Sequence, residues 1–345
     1  MKIAFICKKR NDTIGGYTNI TYGLWNSASF VANFLNILNN IDAQVFLVED
    51  YNCIDKVLVD NNPDLVILEA LWVIPSKLDE LMGLLRHKNR KWIVRTHSEW
   101  PFFANEGIAV NWLMEYGKLQ SKYPNKLYIA PNTNTMTRDI KQLFGIKSLY
   151  LPNIYYPSTL SEHRKNINVE DGIIHIGCFG SIRPLKNQLI QAMAAIEIAD
   201  SLHYKLAFHI NASRTEQDGG PVLKNIRMLF NNDPKHSLVE HGWEEHEKFI
   251  EIVKQMHLGL QVSFTETFNI VAADFVWNFI PLVGSPTIFW LPNIYKAEPT
   301  SLKNIVEVGQ YCWKHRRSSV MISKAFLTRQ NNKAMEIWID TIKKI

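Results

Sequence analysis

Short apolar runs alternate with longer stretches of helical periodicity along the whole chain, which is the pattern of a parallel α/β sheet. In the first half, Lys2–Cys7 reads as a buried strand feeding a loop that holds Gly15 and Gly16. Gly23–Asn39 then places Trp25, Phe30, Phe34, Leu35 and Leu38 near the spacing of one helix face. Gln44–Val48, Leu65–Leu68, Trp92–His97, Leu127–Ala130 and Leu149–Leu151 read as further strands. Their near-continuous apolar character fits a sheet covered on both faces. These six strands predict one Rossmann-like domain over residues 1–152.

From Pro152 to Asp171 the chain turns polar and irregular, with Pro152, Asn153, Pro157, Ser158 and Ser161 in a charged surrounding. That composition predicts a linker over 153–171. The alternation then restarts. Strands are expected at Ile173–Phe179, Lys205–Ile210, Ser237–Glu240, Leu258–Val262 and Pro281–Gly284. Helices are expected near Asn187–Ala199, Val222–Phe230, Glu244–Met256 and Thr267–Asn278. This is a second Rossmann-like domain over 172–320, and the helical pattern of 321–345 is expected to pack back on the first. The fold class is therefore α/β, two Rossmann-like domains facing a central cleft, since open α/β sheets bind ligands outside the carboxyl ends of their strands.

Composition narrows the classes. Of 345 residues, 46% are hydrophobic and 21% charged, which excludes fibrous and disordered readings. The net charge of +5 suits an anionic substrate without demanding nucleic acid. Cys7, Cys53, Cys178 and Cys312 lie far apart, so no disulfide framework or zinc site is indicated, and a reducing cytoplasm is expected. No stretch approaches the ~20 apolar residues of a membrane span.

Two segments carry candidate chemistry. In Gln261–Ser285, QVSFTETFNIVAADFVWNFIPLVGS, a strand ends in a polar turn at Glu266. A helix beginning near Thr267 would aim the backbone amides of Phe268, Asn269 and Ile270 at an anion. Asp274 lies two turns beyond Glu266 on nearly the same face, and ionised carboxylates accept from sugar hydroxyls. In His175–Gln188, HIGCFGSIRPLKNQ, a strand and a turn at Gly180 lead to Arg183 and Lys186. Placed there, the two cations would stabilise charge building on a leaving diphosphate. No GxGxxG follows the first strand and no GxxxxGK[ST] occurs, which counts against dinucleotide dehydrogenases and P-loop enzymes. His97 ends a strand, and Glu99, Trp100 and Asn105 follow in an aromatic and polar run suited to an acceptor wall.

These segments, in this order, resemble the retaining nucleotide-sugar-dependent glycosyltransferases of family 4, which have the GT-B fold. Glu266 and Asp274 occupy the places of that family's Glu, seven residues, Glu motif, with Asp in the second place. Gly180 and Lys186 match its glycine turn and Lys, while Ser181 replaces its Arg and leaves Arg183 as a displaced candidate. His97 matches its donor-pocket His, Gly15 and Gly16 its first glycine loop, and Leu151–Asn153 its pre-linker motif.

The resemblance implies transfer of a sugar from a UDP- or GDP-sugar, with no further cofactor and no metal. His97, Arg183, Lys186 and Glu266 would be the catalytic residues. Gly15, Gly16, Gly180, Thr267, Phe268, Asn269, Ile270 and Asp274 would bind the donor. Glu99, Trp100 and Asn105 would face the acceptor. That acceptor is a saccharide, a lipid-linked sugar reached by peripheral membrane contact, or a hydroxymethylated base in DNA. A binding protein that has kept the fold without catalysis, and a nucleotide-sugar epimerase, are the rival classes.

Overall fold

The computed structural model describes residues 1–9, 13–14, 17–18, 22–157 and 168–345. The chain divides into two units, Met1–Ser158 with Asn331–Ile345, and Thr159–Gln330.

The first unit is built on a five-stranded parallel sheet. Its strands are β1 (Lys2–Lys8), β4 (Asp42–Val48), β5 (Leu65–Glu69), β6 (Lys91–Thr96) and β7 (Leu127–Pro131), in the order β4-β1-β5-β6-β7. A small antiparallel pair, β2 (Thr13–Ile14) and β3 (Tyr17–Thr18), follows β1. Val66, Ile67 and Leu68 of β5 are fully buried, as are Trp92, Ile93 and Val94 of β6, because apolar layers close both faces of the sheet. Trp338 joins the layer containing Phe5 and Ile67, and its indole N–H donates to the carbonyl of Pro152 at 2.8 Å.

The sixth expected strand is absent from the sheet. Ser148 makes a single bridge to Ile129, and the amides of Leu149 and Leu151 bond the carbonyls of Ile129 and Pro131. The segment follows the edge of β7 and leaves it at Pro152, which has no N–H to continue a ladder.

The second unit repeats the plan with β8 (Ile173–Gly177), β9 (Lys205–Asn211), β10 (Ser237–His241), β11 (Leu258–Gln261) and β12 (Leu282–Gly284), ordered β10-β9-β8-β11-β12 and all parallel. The helix Ile270–Trp277 seats very closely on this sheet. A Cβ on Gly259 of β11 would lie 2.8 Å from the Phe275 ring, so the missing side chain makes room for the helix. Among the described residues, no helix is long and apolar enough to cross a membrane.

In each sheet the strand order reverses once, between β1 and β5 in the first and between β8 and β11 in the second. Connections leaving the two strands at such a point run to opposite faces and open a crevice at their carboxyl ends.

Candidate active site

At the reversal of the second sheet, the loop after β8 and the loop after β11 are laced together by backbone and side-chain hydrogen bonds. The amide of Phe264 donates to the carbonyl of Leu185 at 2.9 Å, and the amide of Val262 to Gln191 Oε1 at 2.7 Å. Asn187 Nδ2 donates to the carbonyls of Val262 and Pro299, at 3.1 and 2.8 Å. This frame brings Lys186 and Glu266 together. Lys186 Nζ donates to Glu266 Oε1 at 2.5 Å, with the two side chains 13% and 9% exposed.

Gly180 holds the start of the same loop at φ +120°, a conformation that a side chain strains. Its amide donates to Asn211 Oδ1 at 3.0 Å, and a Cβ built on it would sit 4.0 Å from Lys186 Nζ. Lys186 does not run directly into the helix expected near Asn187–Ala199. It closes a short 3₁₀ turn, Pro184–Lys186, which Asn187 in the left-handed region separates from the helix Gln188–Ser201. Proline at the first position of that turn and the φ of +57° at Asn187 account for the break.

Arg183 is turned to a different partner. Its Nη1 lies 3.1 Å from Glu216 Oε2, and Arg214 pairs with the other oxygen of the same carboxylate. The Arg214 guanidinium stacks 4.6 Å from the centre of the Trp243 ring.

The helix behind Glu266 starts three residues later than expected, at Ile270. Asn269 is its cap: at φ +57° its Oδ1 accepts from the amide of Ala272 at 2.9 Å, while its Nδ2 donates to Gln261 Oε1 at 3.0 Å. A side chain that satisfies a first-turn amide and anchors to the strand sets the boundary where Thr267 does not. Thr267 and Phe268 therefore lie in the loop. Phe268 is buried, and its carbonyl accepts from Trp290 Nε1 at 2.6 Å.

Asp274 is 1% exposed, and its Oδ1 lies 2.8 Å from His246 Nε2. Burial works against the imidazolium of His246, but the Asp274 charge and hydrogen bond outweigh it and raise the histidine above its ordinary value. The expectation of a carboxylate open on the same face as Glu266 is thus replaced by a buried carboxylate already held by a histidine.

At the reversal of the first sheet, Glu69 closes β5 with no solvent exposure. Arg95 Nη1 lies 3.1 and 3.2 Å from its two oxygens, and His97 Nε2 bonds Glu69 Oε2. Arg95 also donates to the carbonyls of Leu151 and Pro152 and to Asn153 Oδ1, so it ties β6 to the segment that follows β7. Burial raises the Glu69 carboxyl, but the Arg95 charge, with the hydrogen bonds from His97 and Arg95, more than offsets it and leaves its pKa lowered. Burial, with the Arg95 charge, lowers His97.

Among the acceptor candidates, Glu99 accepts from Thr133 Oγ1 at 2.5 Å, and burial raises its carboxyl. Trp100 donates to Asp139 Oδ2 at 3.0 Å and packs edge-on against Phe103 and Phe144. Asn105 is exposed. Gly15 and Gly16 lie outside the described residues. Among the described residues, no group of three or more His, Cys, Asp or Glu could hold a metal ion.

No protein-family model and no curated protein sequence matches the chain. Solved structures do. HepE of Anabaena, in complex with UDP-glucose, is similar over 100% of both chains at 12% identity, with a TM-score of 0.66. A glycosyltransferase from Rickettsia africae is similar over 99% of this chain and 98% of its own, at 11% identity and a TM-score of 0.61. Trehalose-6-phosphate synthase, in a structure addressing enzymatic glycosyl transfer with retention, is similar over 99% of both chains at 11% identity and a TM-score of 0.63. This chain shares their fold. It is the GT-B class, two Rossmann-like α/β units.

Sequence reasoning passed over Glu69, Arg95, Asn211, Glu216 and His246. The first two carry a readable signal: LVILE and WIVR each end an apolar strand on a charge, and a charge at the carboxyl end of a buried strand must find a partner. Asn211 ends β9, Glu216 lies in the loop that follows, and His246 opens the helix His246–Val253; they become partners only through the pairing of distant segments.

Proposed function

We propose that the protein is a retaining glycosyltransferase that moves a sugar from a nucleoside-diphosphate-sugar to an acceptor hydroxyl. The observation that carries this reading is the Lys186–Glu266 pair at the strand-order reversal of the second sheet. An ammonium has three N–H donors. Glu266 takes one, and the remaining two suit the oxygens of a leaving diphosphate. Fixed in a frame of backbone and side-chain hydrogen bonds, the cation needs little reorganisation as charge develops, which is where such groups act most strongly.

Glu266 would accept from hydroxyls of the donor sugar, Gly180 would let the diphosphate approach the main chain, and Arg183 would add positive charge through the Glu216 cluster. Asp274 would act on the ribose through His246, since that imidazole covers its carboxylate. His97 would line the reacting sugar. With retention, the departing phosphate oxygen takes the acceptor proton on the face it leaves, so no protein nucleophile is needed. The structures bearing UDP-glucose and treating transfer with retention support this donor class and stereochemistry. The acceptor classes are a saccharide, a lipid-linked sugar, or a hydroxymethylated base in DNA.

The test is a thermal-shift screen of UDP- and GDP-sugars, followed by transfer assays with the best donor on those three acceptor classes in excess chelator. Donor-dependent transfer with retained anomeric configuration is the expected result. Tight donor binding with neither transfer nor hydrolysis across the panel would make the protein a binding module. Conversion of free donor without any acceptor would make it an epimerase.

A further inference from the structure

The carboxylate of Glu69 constrains its neighbour more than a simple ion pair would. Glu69 has no solvent exposure, and Arg95 Nη1 contacts both of its oxygens, at 3.1 and 3.2 Å. A carboxylate held this way stays ionised, and an ionised carboxylate only accepts hydrogen bonds. The imidazole nitrogen against it, His97 Nε2, must therefore carry the hydrogen. The same ring's Nδ1 faces Asn132 Nδ2 at 3.5 Å, a long and weak contact. Burial and the adjacent guanidinium keep His97 from taking a second proton, so Nδ1 retains its lone pair.

The backbone reinforces the arrangement. Ala70, directly after Glu69, stands at φ +76°, and its amide donates to the carbonyl of Arg95 at 2.8 Å. A non-glycine residue rarely adopts the left-handed region. Here it turns the chain sharply at the end of β5 and leaves the Glu69 side chain directed at β6.

We propose that Glu69 is a positioning residue that fixes His97 as the neutral Nε2–H tautomer, so that His97 presents Nδ1 as a hydrogen-bond acceptor for a ligand hydroxyl. The idea that the ligand is the donor sugar rests on the transferase reading above; the tautomer assignment does not. It has a consequence for specificity. An acceptor at this point favours a sugar bearing a hydroxyl over a deoxy or fluoro analogue at the same carbon, because the analogue leaves the nitrogen unpaired.

The experiment is 15N-resolved NMR of the imidazole nitrogens in the full chain, in which protonated and unprotonated nitrogens are distinguished directly. The wild-type protein should show His97 as Nε2–H near neutral pH, and Glu69→Gln should abolish that preference. A wild-type Nδ1–H tautomer, or a signature unchanged in Glu69→Gln, would overturn the proposal. If Glu69→Gln does not fold, the wild-type spectrum still decides, and a second pair of variants supplements it. Asn places an oxygen near the position of Nδ1 and Gln near that of Nε2, so His97→Asn should keep at least tenfold more transfer than His97→Gln; the reverse order would count against an Nδ1 acceptor.

Titration with UDP-glucose separates the two readings. A shift of His97 Nδ1 supports both. A response of the Lys186–Glu266 loop with His97 unmoved removes the sugar contact and leaves the transferase reading. No response anywhere removes UDP-glucose as donor, while the tautomer result stands on its own.

Discussion

Lys186 and Glu266, 80 residues apart in sequence, share a 2.5 Å hydrogen bond across the point where the strand order of the second sheet reverses. Both belong to loops braced by hydrogen bonds, from the Phe264 amide to the Leu185 carbonyl and from the Val262 amide to the Gln191 side chain. Replacing Lys186 by Met keeps the aliphatic stem and removes the charge. The expected result is a fall of about 10² to 10³ in kcat with little change in the donor KM, the size of effect seen when one preorganised charge-stabilising donor is lost. Glu266→Gln should instead raise the donor KM, since an amide accepts more weakly. Steady-state kinetics on both variants check this, and wild-type rates in both would remove the pair from the mechanism.

The fold was legible because buried parallel strands announce themselves as apolar runs, and ten of the strands expected from such runs pair in the two sheets. Leu149–Leu151 has the same apolar character, yet Pro152 ends its contact with β7. A run therefore reports burial more reliably than it reports pairing. The geometry of the candidate site was legible where a residue type is tied to its own loop, as with Gly180, Lys186 and Glu266. It was not where a side chain's role depends on a distant partner. Nothing in the local sequence of Asp274 shows that His246 will cover it, or that Glu216 will hold Arg183.

Gly219 makes a structural prediction close to the same site. A Cβ on this residue would lie 1.9 Å from the carbonyl oxygen of Ile182, a backbone atom that cannot swing aside. The helix beginning at Gly219 thus packs directly on the strand of chain leading into Arg183. Gly219→Ala should destabilise the protein by about 1 to 3 kcal/mol, the usual range for overpacking. Because the backbone must move, it should also weaken donor binding. Urea titration and donor affinity, measured on the same variant, check both halves. A variant with wild-type stability would show that the contact is relieved without cost.

Arg95 and Glu69 form a pair with no exposed side-chain surface on either residue. Removing one partner of such a pair strands the other. Arg95→Met should cost about 3 to 5 kcal/mol, whereas the double variant Arg95→Met, Glu69→Gln should recover much of that loss, since the penalty lies in the uncompensated charge. The carbonyls of Leu151 and Pro152 lose their donor in both proteins, so recovery should be incomplete. Chemical denaturation of the two single variants and the double variant completes the cycle. Additive losses would mean that the pair contributes no specific coupling.

A row of histidines crosses the second sheet and sets the direction of its pH response. His175 Nδ1 lies 2.9 Å from His209 Nε2, and His209 Nδ1 lies 2.8 Å from His241 Nε2. His257 continues the row, its Nδ1 accepting from the amide of His175 at 2.9 Å. Burial first, then the charges that His241, His175 and His257 would carry, lower His209 to about 3. In the unfolded chain the same imidazole titrates near 6.5. The folded state therefore binds fewer protons than the unfolded state between these two values, and stability falls as pH falls through that window. The contribution is complete above pH ~6.5, and each unit below it removes about 1.36 kcal/mol until the folded value is reached. Between pH 6.5 and 5 the loss from His209 alone is roughly 2 kcal/mol. His209→Gln keeps polar atoms in the row but cannot titrate, so its unfolding free energy should fall less steeply over that interval, from a lower starting value at neutral pH. Urea unfolding of both proteins at pH 7.5, 6.5, 5.75 and 5 gives the two slopes. Equal slopes would place the acid sensitivity in some other group.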